Sequence, residues 1–236
     1  MISISKAHQL KYGTLGAGAL GLLLRILMYR TGVDYRNLLI SNHLTQIALW
    51  ILTAAVIAGI FLLRNRIPQP KTDDYPTGKF AAAGCLLAAV ALVQSPGISN
   101  TGFALESVEP ALRYLAALSL LAIAWCRFSR KRPNCLLHCA LCLYLTVGMI
   151  CRYRVWSVEP QLMRYLFQMA AHLTMTFTAY HFAALDAQTG NFKMLWCWGL
   201  GSIFFCAASI ADAPMLMIGM LCWLCTNLTN PEDAHG

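Results

Sequence analysis

Residues 44–63, LTQIALWILTAAVIAGIFLL, form one apolar run that contains no charged side chain. A helix of about 20 mostly apolar residues crosses the roughly 30 Å hydrocarbon core of a bilayer. The run is long enough for that crossing and predicts a transmembrane helix. Other apolar stretches, some of them shorter or interrupted by a charged residue, recur along the chain. The number of membrane spans depends on how many of these stretches cross the bilayer.

The composition of the whole chain points the same way. Of its 236 residues, 58% are hydrophobic and only 12% are charged, against about 45–50% and about 25% in soluble domains. This shortage of charge excludes a conventional water-soluble enzyme, a disordered chain and a nucleic-acid-binding module. The net charge of +8 is therefore assigned to loops at a membrane surface, and nucleic acid is not an expected partner.

Eight stretches qualify, or nearly qualify, as spans. They lie at roughly 13–30, 44–63, 80–96, 109–126, 135–151, 161–185, 193–210 and 213–228. The sequence thus predicts an all-α, polytopic transmembrane helical bundle of about eight spans, built as four helical hairpins in a single integral membrane domain over residues 1–236. Seven spans are the alternative, with the last segment re-entrant or interfacial, because only Ala211 and Asp212 separate the final two stretches.

Lys and Arg in the loops predict the orientation, because cytoplasmic loops carry an excess of both. With eight spans, eleven of these residues lie on the side of the N-terminus and four lie in the opposite loops. Both termini are therefore predicted to be cytoplasmic, and the plasma membrane is the expected location. The basic run from Arg127 to Arg132 is expected to contact anionic lipid head groups of the bilayer.

An internal repeat links the middle hairpins. Ser-Val-Glu-Pro occurs at residues 107–110 and again at 157–160, and Arg-Tyr-Leu soon follows each copy. We predict that hairpins 80–126 and 135–185 are duplicates. The Ser of each copy is expected to cap the returning helix, with the Pro in the first helical turn, where its missing N–H costs nothing.

Three arginines inside predicted spans, Arg25, Arg113 and Arg164, are expected in the outer leaflet. A charge at the bilayer centre costs about 2.5–3.5 kcal/mol on insertion scales, so it needs a partner or water. Two explanations stay open: ion pairs that pin the hairpin ends, or an outward-facing pocket for an anionic or zwitterionic solute or lipid head group. The residues of the hypothetical pocket are Arg25, Arg113, Tyr114, Arg164, Tyr165, Glu109 and Glu159.

Cysteine and histidine supply weaker candidates. Thiolates could bind copper(I) or zinc, but Cys also packs as a small hydrophobe in apolar helices, and no metal or cofactor is predicted. The weak metal candidates are Cys135, Cys139, Cys142, Cys222 and Cys225. His172, in the middle of the sixth predicted span, is a weak candidate for a proton relay or for an interhelical hydrogen bond.

The leading functional hypothesis is binding, transport or sensing of a small solute or lipid head group through an Arg-rich vestibule on the outer face. A structural or partner subunit of a larger membrane complex is the alternative, with other membrane subunits as partners. An intramembrane enzyme ranks third, because the chain contains no HExxH, GxSxG or Walker motif.

Overall fold

A computed structural model of the chain describes residues 4–31, 43–63, 78–96, 104–156 and 162–228. Within these ranges the chain forms eight α-helices and no strand, which confirms the predicted all-α bundle. The helices are α1 (Ile4–Thr31), α2 (His43–Leu63), α3 (Lys79–Gln94), α4 (Ala104–Phe128), α5 (Cys135–Trp156), α6 (Leu162–Asp186), α7 (Phe192–Ala208) and α8 (Pro214–Asn227). Each of them matches one of the predicted stretches, although α1 begins well before residue 13.

Four helices are long and apolar enough to cross a membrane, which supports the prediction of a membrane protein. The qualifying segments are Gln9–Thr31, Leu44–Leu63, Leu105–Phe128 and Cys135–Arg154. The helices α3, α7 and α8 are apolar but shorter.

The two ends of the bundle are named here after a residue of α1 at each. At the Lys11 end, Lys11 Nζ donates a hydrogen bond to the carbonyl of Cys225, near the end of α8. At the Arg25 end, Arg25 pairs with Asp212 in the turn between α7 and α8. Successive helices run in opposite directions, so the odd-numbered helices begin at the Lys11 end and the even-numbered helices begin at the Arg25 end.

The helices α3 to α8 form a closed ring around the main core. Each packs against the next along the chain, and α8 closes the ring against α3. Leu92, Leu120, Leu145, Met175 and Trp223 are fully buried in this core. The hairpin of α1 and α2 lies outside the ring, where both helices contact α7.

Glycine permits the close contact between α3 and α8 that closes the ring. A Cβ atom added at Gly84 of α3 would lie 2.9 Å from the carbonyl oxygen of Cys222. One added at Gly219 of α8 would lie 3.2 Å from the carbonyl oxygen of Leu87. Small residues let helix backbones approach closely, so that van der Waals packing can hold helices together where the hydrophobic effect does not.

The helix start predicted at the first Ser-Val-Glu-Pro is wrong. The helix α4 begins at Ala104, so Ser107 and Pro110 lie inside the helix, and Ser107 is not its cap. Glu106 lies in the first turn of α4. Its negative charge stabilises the positive end of the helix dipole, which allows the helix to begin before the motif. Pro160 lies outside the described residues, so the duplication of the two hairpins stays a prediction.

Candidate functional site

Arg25 is buried, with 1% of its surface exposed, and its charge is matched within the protein. Its Nη1 donates to Oδ2 of Asp212 at 2.8 Å, and its Nη2 donates to Oδ1 at 3.2 Å. Nη1 also donates to the carbonyl of Ala208 at 2.7 Å. The rings of Tyr29 and Phe167 lie 5.7 and 5.1 Å from the guanidinium carbon. These contacts tie α1 to the turn between α7 and α8.

The partner of Arg25 is an acid that the sequence places on the outer side but that was not among the residues of the hypothetical pocket. Glu109 and Glu159 were the predicted pocket acids, whereas the observed carboxylate belongs to Asp212. Asp212 follows α7 and lies next to α1 because α1 packs along α7. The interaction therefore depends on a long-range contact, with 187 positions between the two residues.

Arg113 and Tyr114 lie near the start of α4, also at the Arg25 end. Arg113 Nη1 donates to the carbonyl of Ser95, just after α3, and the guanidinium carbon lies 5.5 Å from the ring centre of Tyr114. The Nε atom of Arg113 is buried and has no hydrogen-bond partner among the described residues. Tyr114 itself is exposed. Arg113 is thus held at one nitrogen and unsatisfied at another.

Two buried acids precede Arg113 on α4. Glu106 and Glu109 are 8% and 2% exposed, and both lie within electrostatic range of the Cys151 thiol on α5. Glu109 Oε1 is buried and accepts no hydrogen bond from any described residue. Because Glu109 and Arg113 are four residues apart on one helix, they share a face.

Arg152 was assigned to an outer loop by the sequence but belongs to the last turns of α5. Its Nη1 donates to His172 Nε2 on α6, and His172 Nδ1 donates to the carbonyl of Gln168 at 2.8 Å. With this assignment of hydrogens, one ring nitrogen accepts and the other donates, which is the pattern of a neutral imidazole. The contacts favour an interhelical hydrogen bond at His172.

These residues define the α4–α6 cluster at the Arg25 end. Its members are Glu106, Glu109, Arg113, Arg152 and His172. Glu106, Glu109 and Arg152 all lie within electrostatic range of Cys151, and Arg152 contacts His172. Arg113 is included because it shares a helix face with Glu109. Arg25 does not belong to it, because its contacts are with the α7–α8 turn and with Phe167.

Three predicted pocket residues complete the set. Tyr165 lies on the second turn of α6 and is partly buried. Arg164 lies in the first turn of α6, but its side chain is outside the described part of the chain, as is the whole of Glu159.

A second polar group, which the sequence analysis missed, lies at the Lys11 end. His138 of α5 and Asp186 of α6 have side chains that are 0% exposed, and His138 Nε2 lies 2.8 Å from Asp186 Oδ2. The distance is that of an ion pair, but the two groups are not aligned for a hydrogen bond. Arg127 of α4 is also 0% exposed and lies within electrostatic range of His138.

The five cysteines considered as metal ligands do not assemble into a site. Across the ranges that the structure describes, no three His, Cys, Asp or Glu residues form a group that could hold a metal ion. The Cys142 thiol instead faces the carbonyl of Thr176 at 3.6 Å, and the Cys135 thiol faces Asn134.

A cavity of about 170 Å³ lies between α2, α6 and α7, away from both polar groups. Its lining includes Ile57, Phe61, Trp198 and Phe205 and offers no charged residue. Such a lining suits an apolar group and gives an anion nothing to bind.

Comparison of the chain with models of protein families, with curated proteins and with solved structures finds no match. In the α4–α6 cluster, the buried charged residues Glu109 and Arg113 retain hydrogen-bonding atoms without a partner among the described residues.

Proposed function

We propose that this chain is a multi-pass membrane protein that binds a small zwitterionic or anionic solute or lipid head group at the α4–α6 cluster. One observation carries the proposal. Glu109 Oε1 and Arg113 Nε are buried on the same face of α4, and neither has a hydrogen-bond partner among the described residues. One is an acceptor and the other a donor, so together they match a ligand that carries both an ammonium group and a carboxylate or phosphate.

The cost of burial is the physical reason for expecting a ligand there. A buried polar atom left without a partner costs about 1–3 kcal/mol, and more when it belongs to a charged group. A bound solute, or the water that it displaces, removes that cost. Other buried atoms among the described residues also lack a hydrogen-bond partner, Arg25 Nε and Arg127 Nε included. What sets Glu109 and Arg113 apart is that they place a carboxylate oxygen and a guanidinium nitrogen four residues apart on one helix face.

The neighbouring contacts support binding because they fix the geometry of the cluster. The carbonyl of Ser95 holds Arg113 at Nη1, and His172 holds Arg152 on the adjacent helix. A guanidinium held at one nitrogen presents its remaining donors in a fixed plane, which suits a planar carboxylate or a phosphate. Arg25 is left out of the proposal because Asp212 already neutralises it.

The topology is part of the proposal: eight spans, both termini cytoplasmic and the Arg25 end facing outward. The charge bias of the loops supports this orientation. Reporter fusions or cysteine-accessibility probes at Asp73 and Gly236 test it, and both positions are expected to report the cytoplasm. An external signal at Gly236 would favour seven spans.

Binding is tested by thermal unfolding of the purified protein in detergent, with glycine, glutamate, phosphocholine and inorganic phosphate as probes. A probe at 100 times its Kd stabilises by about 2.7 kcal/mol, which raises the Tm by about 5–10 °C for a chain of this size. We expect at least one probe to do so in the wild type. If none of the four raises the Tm, the proposal is wrong.

Variants locate the binding. Arg113→Ala is expected to remove the probe-dependent shift, and Arg113→Lys is expected to restore little of it, because the planar fork is lost. Glu109→Gln is expected to weaken only probes that carry an ammonium group. Arg30→Ala is the matched control, since Arg30 is an exposed arginine at the same end of the bundle. A shift that survives Arg113→Ala places the ligand elsewhere.

A further inference from the structure

The polar group at the Lys11 end has a different chemistry from the α4–α6 cluster. It brings together three fully buried side chains from three helices: Arg127 of α4, His138 of α5 and Asp186 of α6. Arginine stays charged in proteins, whereas an imidazole can gain or lose a proton near neutral pH. The variable member of the group is therefore His138.

The surroundings of His138 contain few other charges. Among the described residues, the charged or titratable groups that face it are Asp186 from α6 and Arg127 from α4. Cys85 of α3 lies beside Arg127, and its thiol donates to Asn227 at 3.8 Å. With Arg127 positive and Asp186 negative, the charges balance when the imidazole is neutral.

The hydrogen bonds of the pair are incomplete. Neither His138 Nδ1 nor Asp186 Oδ1 has a hydrogen-bond partner among the described residues. One face of the imidazole is covered by Phe182, whose ring centre lies 5.8 Å away in a stacked arrangement. The ring is thus held beside the carboxylate with neither nitrogen hydrogen-bonded to a described residue, although the two side chains already lie within ion-pair distance.

We propose that His138 and Asp186 form a proton-binding site at the Lys11 end of the bundle. A proton from water adds to the neutral imidazole, no other bond is made or broken, and the resulting imidazolium donates an N–H to the Asp186 carboxylate. The group then changes from neutral to a net charge of +1. This inference rests on the contacts at the Lys11 end alone and holds whether or not the Arg25 end binds a solute.

Proton binding at this pair acts on the packing of α5 against α6. In the protonated state a charge-assisted hydrogen bond joins the two helices, and such bonds are roughly twice as strong as neutral ones. When His138 is neutral, its contact with Asp186 holds the two helices together less strongly. The pH on this side of the bundle therefore sets how firmly the ends of α5 and α6 are held together.

Nuclear magnetic resonance of the full chain in detergent, with ¹⁵N-labelled histidine, tests the proposal. The chain has 6 histidines, and His138→Gln assigns one of them by loss of its signals. Burial opposes the charged imidazolium and the Asp186 carboxylate favours it, so we expect the His138 nitrogens to change from the neutral to the imidazolium pattern as the pH is lowered from about 8 to about 4. A ring that stays neutral over this whole range would overturn the proposal.

Two variants of the carboxylate test its role. Asp186→Asn is expected to lower the proton affinity of His138 at least about tenfold, which is one pH unit in the midpoint, because the opposite charge is removed. Asp186→Glu keeps the charge and is expected to keep most of the affinity, which also covers the case in which the Asn variant does not fold. An unchanged midpoint in Asp186→Asn contradicts the assignment.

His181→Gln is the matched control for these measurements. His181 also lies on α6 but is only partly buried, and it stacks edge-on against Tyr180 rather than facing an acid. Its replacement is expected to leave the titration of His138 unchanged. If His181→Gln abolishes the titrating signal while His138→Gln leaves it, the proton binds at His181 instead.

Discussion

Arg25 and Arg113 lie at the same end of the bundle and looked alike in the sequence, yet their surroundings differ. Arg25 is 1% exposed and makes two contacts with a carboxylate and a third with a carbonyl. Arg113 is only partly buried, donates to one carbonyl and leaves Nε without a partner among the described residues. The Nε atom of Arg25 also has no hydrogen-bond partner among the described residues, so the difference between the two arginines lies in the carboxylate. An arginine that a buried acid neutralises has a structural role, whereas one that donates only to a carbonyl leaves its charge available to an anionic ligand.

The largest expected effect is at Arg25. Replacing Arg25 by Ala leaves Asp212 mostly buried without its counter-charge, and we expect the free energy of unfolding to fall by about 3–5 kcal/mol. Denaturant titration in detergent measures this loss. The double variant R25M/D212L is expected to recover most of it, because no unpaired charge remains. If R25A is no less stable than the exposed-site variant R30A, the contrast with Arg113 disappears.

The second-largest expected effect is at Gly18, and it tests whether helix packing or the ion pair holds α1 in place. A Cβ atom at Gly18 would lie 2.9 Å from the carbonyl oxygen of Phe204 on α7, whereas one at Gly16 meets nothing within 4 Å. Gly18→Ala is expected to cost about 1–3 kcal/mol by overpacking. Gly16→Ala is the control and is expected to gain up to about 1 kcal/mol in helix propensity. Equal stability of the two variants would show that α1 packs differently along α7.

The smallest expected effect is at Arg113. Arg113 is partly buried and its replacement removes one hydrogen bond to a carbonyl, so Arg113→Ala is expected to cost only about 1 kcal/mol of unfolding free energy. The same denaturant titration measures it. A loss as large as that of R25A would mean that Arg113 is also a structural tie, and the reason for placing a ligand there would be gone.

The helices could be predicted from the sequence because length and apolarity decide them locally. The helix at residues 44–63 was predicted by comparing the length of an apolar run with the thickness of a bilayer, and α2 covers His43–Leu63. The start of α4 was missed because a proline motif was given more weight than Glu106 in the first turn. Local signals therefore predicted the helices well and one of the helix ends poorly.

The contacts within the sites could not be predicted in the same way. The acids of the hypothetical pocket were Glu109 and Glu159, but Arg25 meets Asp212, because the packing of α1 along α7 decides its neighbours. Asp186 lay just beyond the sixth predicted span and was not considered. Asp186 could have been found from the predicted hairpin, because the start of the fifth span and the end of the sixth lie at the same open end and bring Asp186 beside His138.

The closed ring also bears on the order of events during synthesis. A growing chain emerges from its N-terminus at about 5–20 residues per second, and 187 positions separate Arg25 from Asp212. Throughout that interval α1 carries a guanidinium whose final counter-ion has not yet been made, and α3 lacks the helix that covers its glycine face. A ribosome stalled before residue 212 would therefore hold an incomplete bundle in which Arg25 lacks the carboxylate of Asp212.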